Sequence, residues 1–558
     1  MTVTLKDTVG ELERGVRWVV EAAMCLKIQS PWQMPDETRR IGQQLLDEKN
    51  TYRLIGDELF TKLNEEDFAD LYPSEGQPGF SPVVLAFVTV FQFIEKLPDR
   101  QAAEALRMRL DWKYALHLAL DDEGFNFSVL SEFRDRLIAG KAEGRVFEKL
   151  VAQIREMGLI KKQGKQRTDS IAMLSKVRWL SRLEIAVETL RLAVVSLVKV
   201  DQEWSAETLP PSWEDKYEER FVMERHTEKE WKEYEENIGN DGQWLLKRLK
   251  DGGAPAGLQE LSNVKLLETV WAQQFREEAG KMAFKELKKY DGHTQIATPH
   301  DPEARYSQKR HFEWVGDKVQ VTDTDDAGYP HIITDIVSTE SNLTDYEALP
   351  DIQDRLEQRQ CKPDEHYVDA GYMSGSNLAN SENMHIDLIG PLSSPVTAQD
   401  RIVDGITQAQ FQVDAQQKSV ICPQGHCATQ VTQIKDGWRF MFPKETCAVC
   451  PLCSRCCTGK DGRTIRISAY YELRQQAFAR QKTETFKQDY AQHRSGVEGS
   501  LSALVRGNGL RVGRYIGQKK RNLQSLFTGC AANLQRTSCW LAGKRPQVRR
   551  KSWTLQAT

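Results

Sequence analysis

The chain has 558 residues, 40% of them apolar and 28% charged, with a formal net charge of −4. That length predicts about three to four domains, and the composition supports packed cores rather than wholesale disorder. No apolar run approaches the roughly 18 residues of a membrane span, since the best stretch, 185–200, is broken by Glu188, Arg191 and Lys199. The first residues carry Asp7, Glu11 and Glu13 without an apolar h-region, so no signal peptide is expected and the chain reads as soluble and cytoplasmic.

The average charge argues against a nucleic-acid binder, but the charge is segregated. Residues 490–558 hold 13 Lys/Arg and a single acid, Glu498, whereas 201–250 hold 14 acids and 8 bases. A basic tail beside an acidic segment suits a polyanion binder with an acidic insert, and equally two solvated faces of opposite sign. Of the 11 cysteines, seven lie between Cys422 and Cys457, which in a long cytosolic chain points to metal ligation rather than disulfides.

In chain order, residues 1–155 read as helical and are assigned to an N-terminal helical DNA-binding domain. Ser81-Pro82 is a cap followed by Pro at the first helical position, and 83–94 is apolar nearly all round, predicting a central helix. Further helices are expected at 100–110, 116–120 and 127–137, the last with Ser128 as a possible cap. Around Gly164 the pattern changes. Residues 160–175 contain a first core strand, QRTDSIAML, that holds the acid Asp169. A helical insert at 176–295 follows, with its helical run over about 176–289 and Trp204, Trp213, Trp231 and Trp244 expected mainly in its core. The core resumes at 296–396, where β-rich runs at 312–322 and 331–338 flank the turn-forming 323–330, a hairpin. A helix at 346–359, a strand at 365–368 ending at Asp369, a helix at 375–384 and a strand at 386–389 complete an α/β pattern. Residues 397–470 form a β-rich, Cys-rich insert. Residues 471–540 form the core's C-terminal helices, beginning with one long helix from Tyr471 past Glu498. Residues 541–558 are a basic tail expected to be disordered.

Three separated carboxylates stand out. Asp169 sits inside a strand, where an acid is disfavoured. Asp369 ends another and precedes Ala370-Gly371-Tyr372. Glu498 lies in His493-Arg494-Ser495-Gly496-Val497-Glu498-Gly499. Carboxylates from two strands and one helix can hold two divalent ions about 3.5–4 Å apart, and oxygen ligands suit Mg²⁺ or Mn²⁺. Taken singly, each acid is far more often a cap, an ion-pair partner or a solvated side chain, and their spacing alone does not change that. Asp323, Asp325 and Asp326 with Gly328 faintly resemble a calcium loop but lack its closing Glu, so a hairpin turn is expected. His366, three residues from Asp369, could reach the same site, but a strand-end His is usually just packed or solvated.

The strings RTDSIAML, HYVDAGY and HRSGVEGSLSALVRGNGLRVGRYIGQKKRNLQ resemble, in order, the three catalytic blocks of DDE transposases from bacterial insertion sequences, with the insertion-sequence 1182 family the nearest match. PGFSPVVLAFVTVFQFIEKLPDRQAAEALRMRLDWKYAL with FSVLSEFRDRL resembles that family's N-terminal helical domain, and DPEARYSQKRHFEWVGDKVQV the block before its second catalytic Asp. The resemblance spans most of 65–175 and 300–536 and is weaker over 176–290. It implies an α/β, ribonuclease-H-like core with a mixed five-stranded sheet, and Asp169, Asp369 and Glu498 as the metal-binding triad. Related transposases carry a Tyr, an Arg and a Lys around the Glu. Here Tyr490 and Arg494 stand near those places, with three intervening residues instead of two, and Val505 occupies the Lys position beside Arg506.

At the cysteine cluster, CxxC-type spacing can close a tetrahedral Zn²⁺ site. The family's Cys-rich insert has counterparts of Cys422, Cys447, Cys450 and Cys456, implying one structural Zn²⁺. An iron–sulfur cluster or a site using Cys427 or Cys453 remains an alternative. The basic segment with Arg506, Arg511, Arg514, Lys519, Lys520 and Arg521, interleaved with Tyr515, is expected to contact DNA phosphate together with Tyr490 and Arg494.

The function expected from the resemblance is transposition: binding terminal inverted repeats, hydrolysing phosphodiester bonds and joining ends to target DNA, as a homodimer on DNA in the bacterial cytoplasm at the nucleoid. The alternatives are a repurposed DNA-binding protein without activity and a plain metal-dependent nuclease of the same fold.

Overall fold

The computed structural model describes residues 26, 32–74, 79–177, 180–217, 228–251, 253–286, 294–309, 311–393, 397–457, 459 and 461–545. The first residues, where no signal peptide is expected, and residues 546–558 of the expected tail lie outside them. Among the described residues no helix is long and apolar enough to cross a membrane.

The N-terminal part is helical: α1 Asp36–Leu45, α2 Thr51–Glu58, α3 Pro82–Glu95, α4 Asp99–Met108, α5 Leu110–Ala115, α6 Ser128–Ala139 and α7 Arg145–Glu156. Ser81 Oγ accepts the Val84 N–H and Pro82 opens α3, whose residues from Pro82 to Phe93 are all buried. The helix expected at 116–120 lies earlier, as α5. His117 takes a left-handed φ of 53°, and Lys113 Nζ donates to the Leu120 and Asp122 carbonyls, so this stretch is a turn. Ser128 is the first residue of α6 rather than its cap; its N–H goes to Asn126 Oδ1.

The central sheet has six strands where five were expected. β1 (Lys165–Leu174) pairs antiparallel with β5 (Phe312–Thr324) and parallel with β7 (Glu365–Tyr367), which pairs parallel with β8 (Asp387–Ile389). The far edge of β5 pairs with β6 (Ile333–Glu340) and, at its start, with the additional strand β4 (Arg305–Lys309). β5 changes partner near Gly316, which has φ 153° and passes so close to β1 that a Cβ there would stand 2.1 Å from the Met173 carbonyl. Helix α13 (Asp345–Gln358) follows β6, and α14 (Gly375–Asn383) connects β7 to β8.

Between β1 and β4 a second core gathers on α8 (Arg182–Val200), α9 (Gln202–Thr208), α10 (Trp213–Tyr217), α11 (Glu228–Lys250) and α12 (Ser262–Gln274). This part is not helical to its end, because the hairpin β2 (Phe275–Glu278)/β3 (Lys281–Phe284) closes it. Trp213 and Trp271 are buried, but Trp244 is 40% exposed, so the tryptophans are only partly core.

Residues 397–470 hold a third core, around Phe411, Val420, Phe440 and Ile465. Its strands are β9 (Gln412–Asp414), β10 (Ser419–Ile421), β11 (Gln430–Ile434), β12 (Gly437–Met441) and β13 (Thr464–Ser468), with short helices α15 (Lys444–Ala448) and α16 (Cys453–Cys456).

The single long helix expected after Tyr471 is two, α17 (Tyr471–Arg480) and α18 (Glu484–Asn508). Thr483 divides them by capping α18 through the Phe486 N–H. Helix α19 (Gln518–Leu541) then packs against β6, α2, α3 and α7. Asn533 donates to the Ile333 carbonyl and accepts the Ile333 N–H, both at 2.8 Å, and Asn522 accepts the Ser338 N–H. These side chains satisfy the outer edge of β6, which would otherwise present unpaired backbone groups. One hydrophobic core runs from α2 and α3 through α19 to the sheet.

Candidate active site and cysteine cluster

The register of β1 and β7 determines how the two strand acids meet. Arg167 stands opposite Tyr367 in the parallel pair, so continuing both strands brings Asp169 level with Asp369. Side chains two residues apart point to the same face of a sheet. Asp169 is 9% exposed. Asp369, just past the end of β7, is half-buried, and its Oδ1 accepts the Gly371 N–H at 2.7 Å.

Helix α18 lies across these strands. Arg494 Nη2 is 2.7 Å from Asp169 Oδ2, and the Tyr490 hydroxyl donates to the Val368 carbonyl at 3.0 Å. Phe486 stacks on Tyr490 one turn earlier, with ring centroids 5.6 Å apart. Glu498 is exposed, one turn beyond Arg494 on the same helix. Among the described residues no three His, Cys, Asp or Glu side chains converge as a ready-made metal site.

The electrostatics couple the two strand acids. Burial raises the Asp369 pKa, and the neighbouring charges of Asp169 and Asp345 raise it further, against the Gly371 N–H and Arg494. Burial alone would lower the Arg494 pKa, but Asp169 and Asp369 hold it above its usual value. Burial raises the Tyr490 pKa. Asp345 was not anticipated. A Cβ on Gly371 would stand 3.0 Å from both Asp345 Oδ2 and Asp369 Oδ1, so these carboxylates face the same small space. Lys318 Nζ lies 3.2 Å from Asp345 and Gln320 donates to it at 3.3 Å. Its sequence signal was the box Thr344-x-x-Glu347, which places Asp345 in the first turn of α13.

A buried ionic network holds α18 on the sheet. Arg167 meets Asp323 at 2.8 Å and Asp325 at 2.6 Å, and donates to the His493 carbonyl at 3.1 Å. His493 Nδ1 lies 2.7 Å from Asp325, and Ser500 donates to Asp323. Asp323 at the end of β5 and Asp325 just after it therefore anchor the helix that carries Arg494 and Glu498. His366 is fully buried, hydrogen-bonded to Thr168 Oγ1 at 2.6 Å, and burial lowers its pKa to about 4.

The basic residues divide sharply. Arg506 and Lys519 are exposed, and Lys520 pairs with Asp135 at 2.7 Å. Arg511 donates to the Ala172 carbonyl and Arg514 to the Leu97 carbonyl; Arg514 also lies 4.6 Å from the Phe93 ring centroid. Arg521 corrects the expectation of a DNA contact. It is completely buried, between Asp317 at 2.6 Å and Asp301, and a cation so enclosed has no surface to offer a phosphate.

Four of the seven clustered cysteines, Cys422, Cys447, Cys450 and Cys456, line one cavity of about 30 Å³ together with His426. Burial and then neighbouring thiols raise the Cys447 pKa; burial above all raises that of Cys456, to about 11. Cys427 is exposed, and Cys457 Sγ donates to the Gly459 carbonyl.

Residues 421–538 match the family model of the transposase DDE domain, and residues 41–136 that of the transposase domain DUF772. The first match covers Tyr490, Arg494, Glu498 and the cysteines lining the cavity; Asp169 and Asp369 lie outside both. No curated protein matches the chain, and no solved structure does.

Proposed function

We propose that the chain, whose residues 421–538 and 41–136 match two transposase family models, is a DDE-type transposase of an insertion sequence that cuts phosphodiester bonds at the inverted-repeat ends of its element and joins them to target DNA. The observation that supports this reading is the parallel register of β1 and β7, Arg167 opposite Tyr367, which when continued two residues brings Asp169 level with Asp369 just past the end of β7. The sheet order β6-β5-β1-β7-β8, with β5 antiparallel to β1 and the later strands parallel, supports a ribonuclease-H-like core.

That reading implies a divalent metal. The acids fit one: burial and then the charges of Asp169 and Asp345 raise the Asp369 pKa, so a cation there would be favoured, and hard oxygen donors suit Mg²⁺ or Mn²⁺. With Asp169, Asp369 and Glu498 as ligands, two such ions would activate the attacking oxygen and stabilise the leaving one. The chain's own residues position the substrate. Arg494 offers a planar donor to a phosphate, Tyr490 braces α18 on the β7 end, and the Arg167 network fixes the helix beneath them. Exposed Arg506 and Lys519 supply phosphate contacts beside the site. We also propose one structural Zn²⁺ at Cys422, Cys447, Cys450 and Cys456, a reading supported by their shared cavity and by the Cys447 pKa, which burial and then the neighbouring thiols raise. Synapsis of two ends favours a homodimer on DNA.

The test incubates the full chain with DNA carrying the element's ends, with Mg²⁺ or with chelator, beside Asp169→Asn and Asp369→Asn. Metal-dependent cleavage and joining, lost in both variants, is expected. Cleavage that persists in Asp369→Asn overturns the assignment. Cleavage without joining reduces the protein to a nuclease, and metal-indifferent binding without cleavage to a DNA-binding protein.

A further inference from the structure

Asp169 already has a cation on it. Arg494 Nη2 lies 2.7 Å from Asp169 Oδ2, and Lys318 sits on Asp345. Among the described residues Asp369 makes no ion pair, and its Oδ1 accepts the Gly371 N–H. The Arg494 guanidinium is only partly satisfied: its Nε is buried without a hydrogen-bond partner. A guanidinium carries five donors in a rigid fork matched to the oxygens of a second anion. A buried N–H without an acceptor is unfavourable and gains by finding one.

We infer that Arg494 is a placeholder cation, which neutralises Asp169 until substrate DNA arrives and then passes to a DNA phosphate, opening Asp169 to the divalent ion. The inference rests on the reading of Asp169 and Asp369 as metal ligands. The carboxylate oxygen in contact with the guanidinium cannot also serve an incoming ion unopposed, because two cations on one carboxylate repel each other. Phosphate relieves this conflict by drawing the guanidinium away. The backbone of α18 is tied to Arg167 through the His493 carbonyl, so the transfer is a side-chain movement on a fixed helix. Metal and DNA binding are then reciprocally coupled: each strengthens the other by the same factor.

The experiment titrates Mn²⁺ into the full chain without DNA and reads the free ion by electron paramagnetic resonance. Arg494→Gln should bind Mn²⁺ about tenfold more tightly than the wild type, equivalent to about 1.4 kcal/mol. Adding Asp369→Asn to that variant should remove the gain, which locates the ion at the paired acids. Circular dichroism melts establish that each variant is folded. Equal Mn²⁺ affinity in the wild type and folded Arg494→Gln overturns the inference, as does a gain that survives Asp369→Asn. These outcomes are separate from the cleavage assay: if Asp369→Asn abolishes cutting while Arg494→Gln leaves Mn²⁺ affinity unchanged, the transposase reading stands and the placeholder does not.

Discussion

Arg167 fills the space that a side chain at Gly496 would need: a Cβ there would lie 2.1 Å from Arg167 Nη1. The guanidinium cannot give way, because Asp323, Asp325 and the His493 carbonyl hold it in a buried position. Gly496→Ala should therefore cost about 1–3 kcal/mol by overpacking and lift the part of α18 that carries Arg494 and Glu498. Gly499 has nothing within 4 Å of its would-be Cβ, and Gly499→Ala should gain roughly 0.5–1 kcal/mol of helix stability. Urea melts of both variants check the contrast. Equal midpoints would show that the Arg167 contact does not constrain the helix.

The same basic run should split into structural and DNA-facing members. Removing one partner of a buried ion pair leaves an uncompensated charge and costs about 3–5 kcal/mol, so Arg521→Met should destabilise the fold strongly through Asp301 and Asp317. Lys519→Ala should leave the melt unchanged and lower the slope of log affinity against log salt by about 1. DNA titrations at several salt concentrations read this directly. An unchanged slope removes Lys519 from the interface.

Stability should fall as pH falls from 6.5 towards 4. The His366 pKa is lowered from 6.5 to about 4 by burial, so across that window the unfolded chain takes up a proton that the folded chain refuses. The loss approaches roughly 3 kcal/mol at about 1.4 kcal/mol per pH unit. Above pH 6.5 this contribution is fully present and constant. Urea melts of His366→Gln should show a flatter profile in this interval; a slope unchanged from wild type would exclude His366 as its source.

Metal content separates the cysteines. The purified chain should carry one Zn²⁺, lost in Cys422→Ser and Cys450→Ser and kept in Cys427→Ser and Cys453→Ser. Removal by chelator should loosen the small core around Phe411 and Phe440 and shift Trp438 fluorescence, since Trp438 packs against that core. Retention of full metal content in Cys450→Ser would exclude the proposed set.

The architecture was legible where pattern and burial agree. The 312–338 hairpin and the strands at Asp169 and Asp369 are β-rich runs bounded by turn chemistry, and α3 was marked by its cap and apolar surface. β4 escaped because Arg-Tyr-Ser-Gln-Lys has no apolar alternation, and its place depends on the change of partner along β5 at Gly316. The helix at 116–120 was mistaken because Leu116 belongs to the core without continuing α5. The strand acids became visible through the family blocks rather than through spacing. Asp345 stayed hidden because it reads as an ordinary first-turn acid. Arg521 misled for the opposite reason: a sequence shows a run of bases, but not the Asp301 and Asp317 that enclose one of them.

The cover on β6 has a consequence for synthesis. Ile333 waits for Asn533, 200 residues downstream, so on the ribosome the strand emerges long before the helix that shields its outer edge. Throughout that interval the nascent chain displays an open backbone ladder, the feature that recruits neighbouring polypeptides into aggregates. Yield in heterologous expression should therefore depend on how fast translation delivers α19 and how well chaperones protect the growing chain until it arrives.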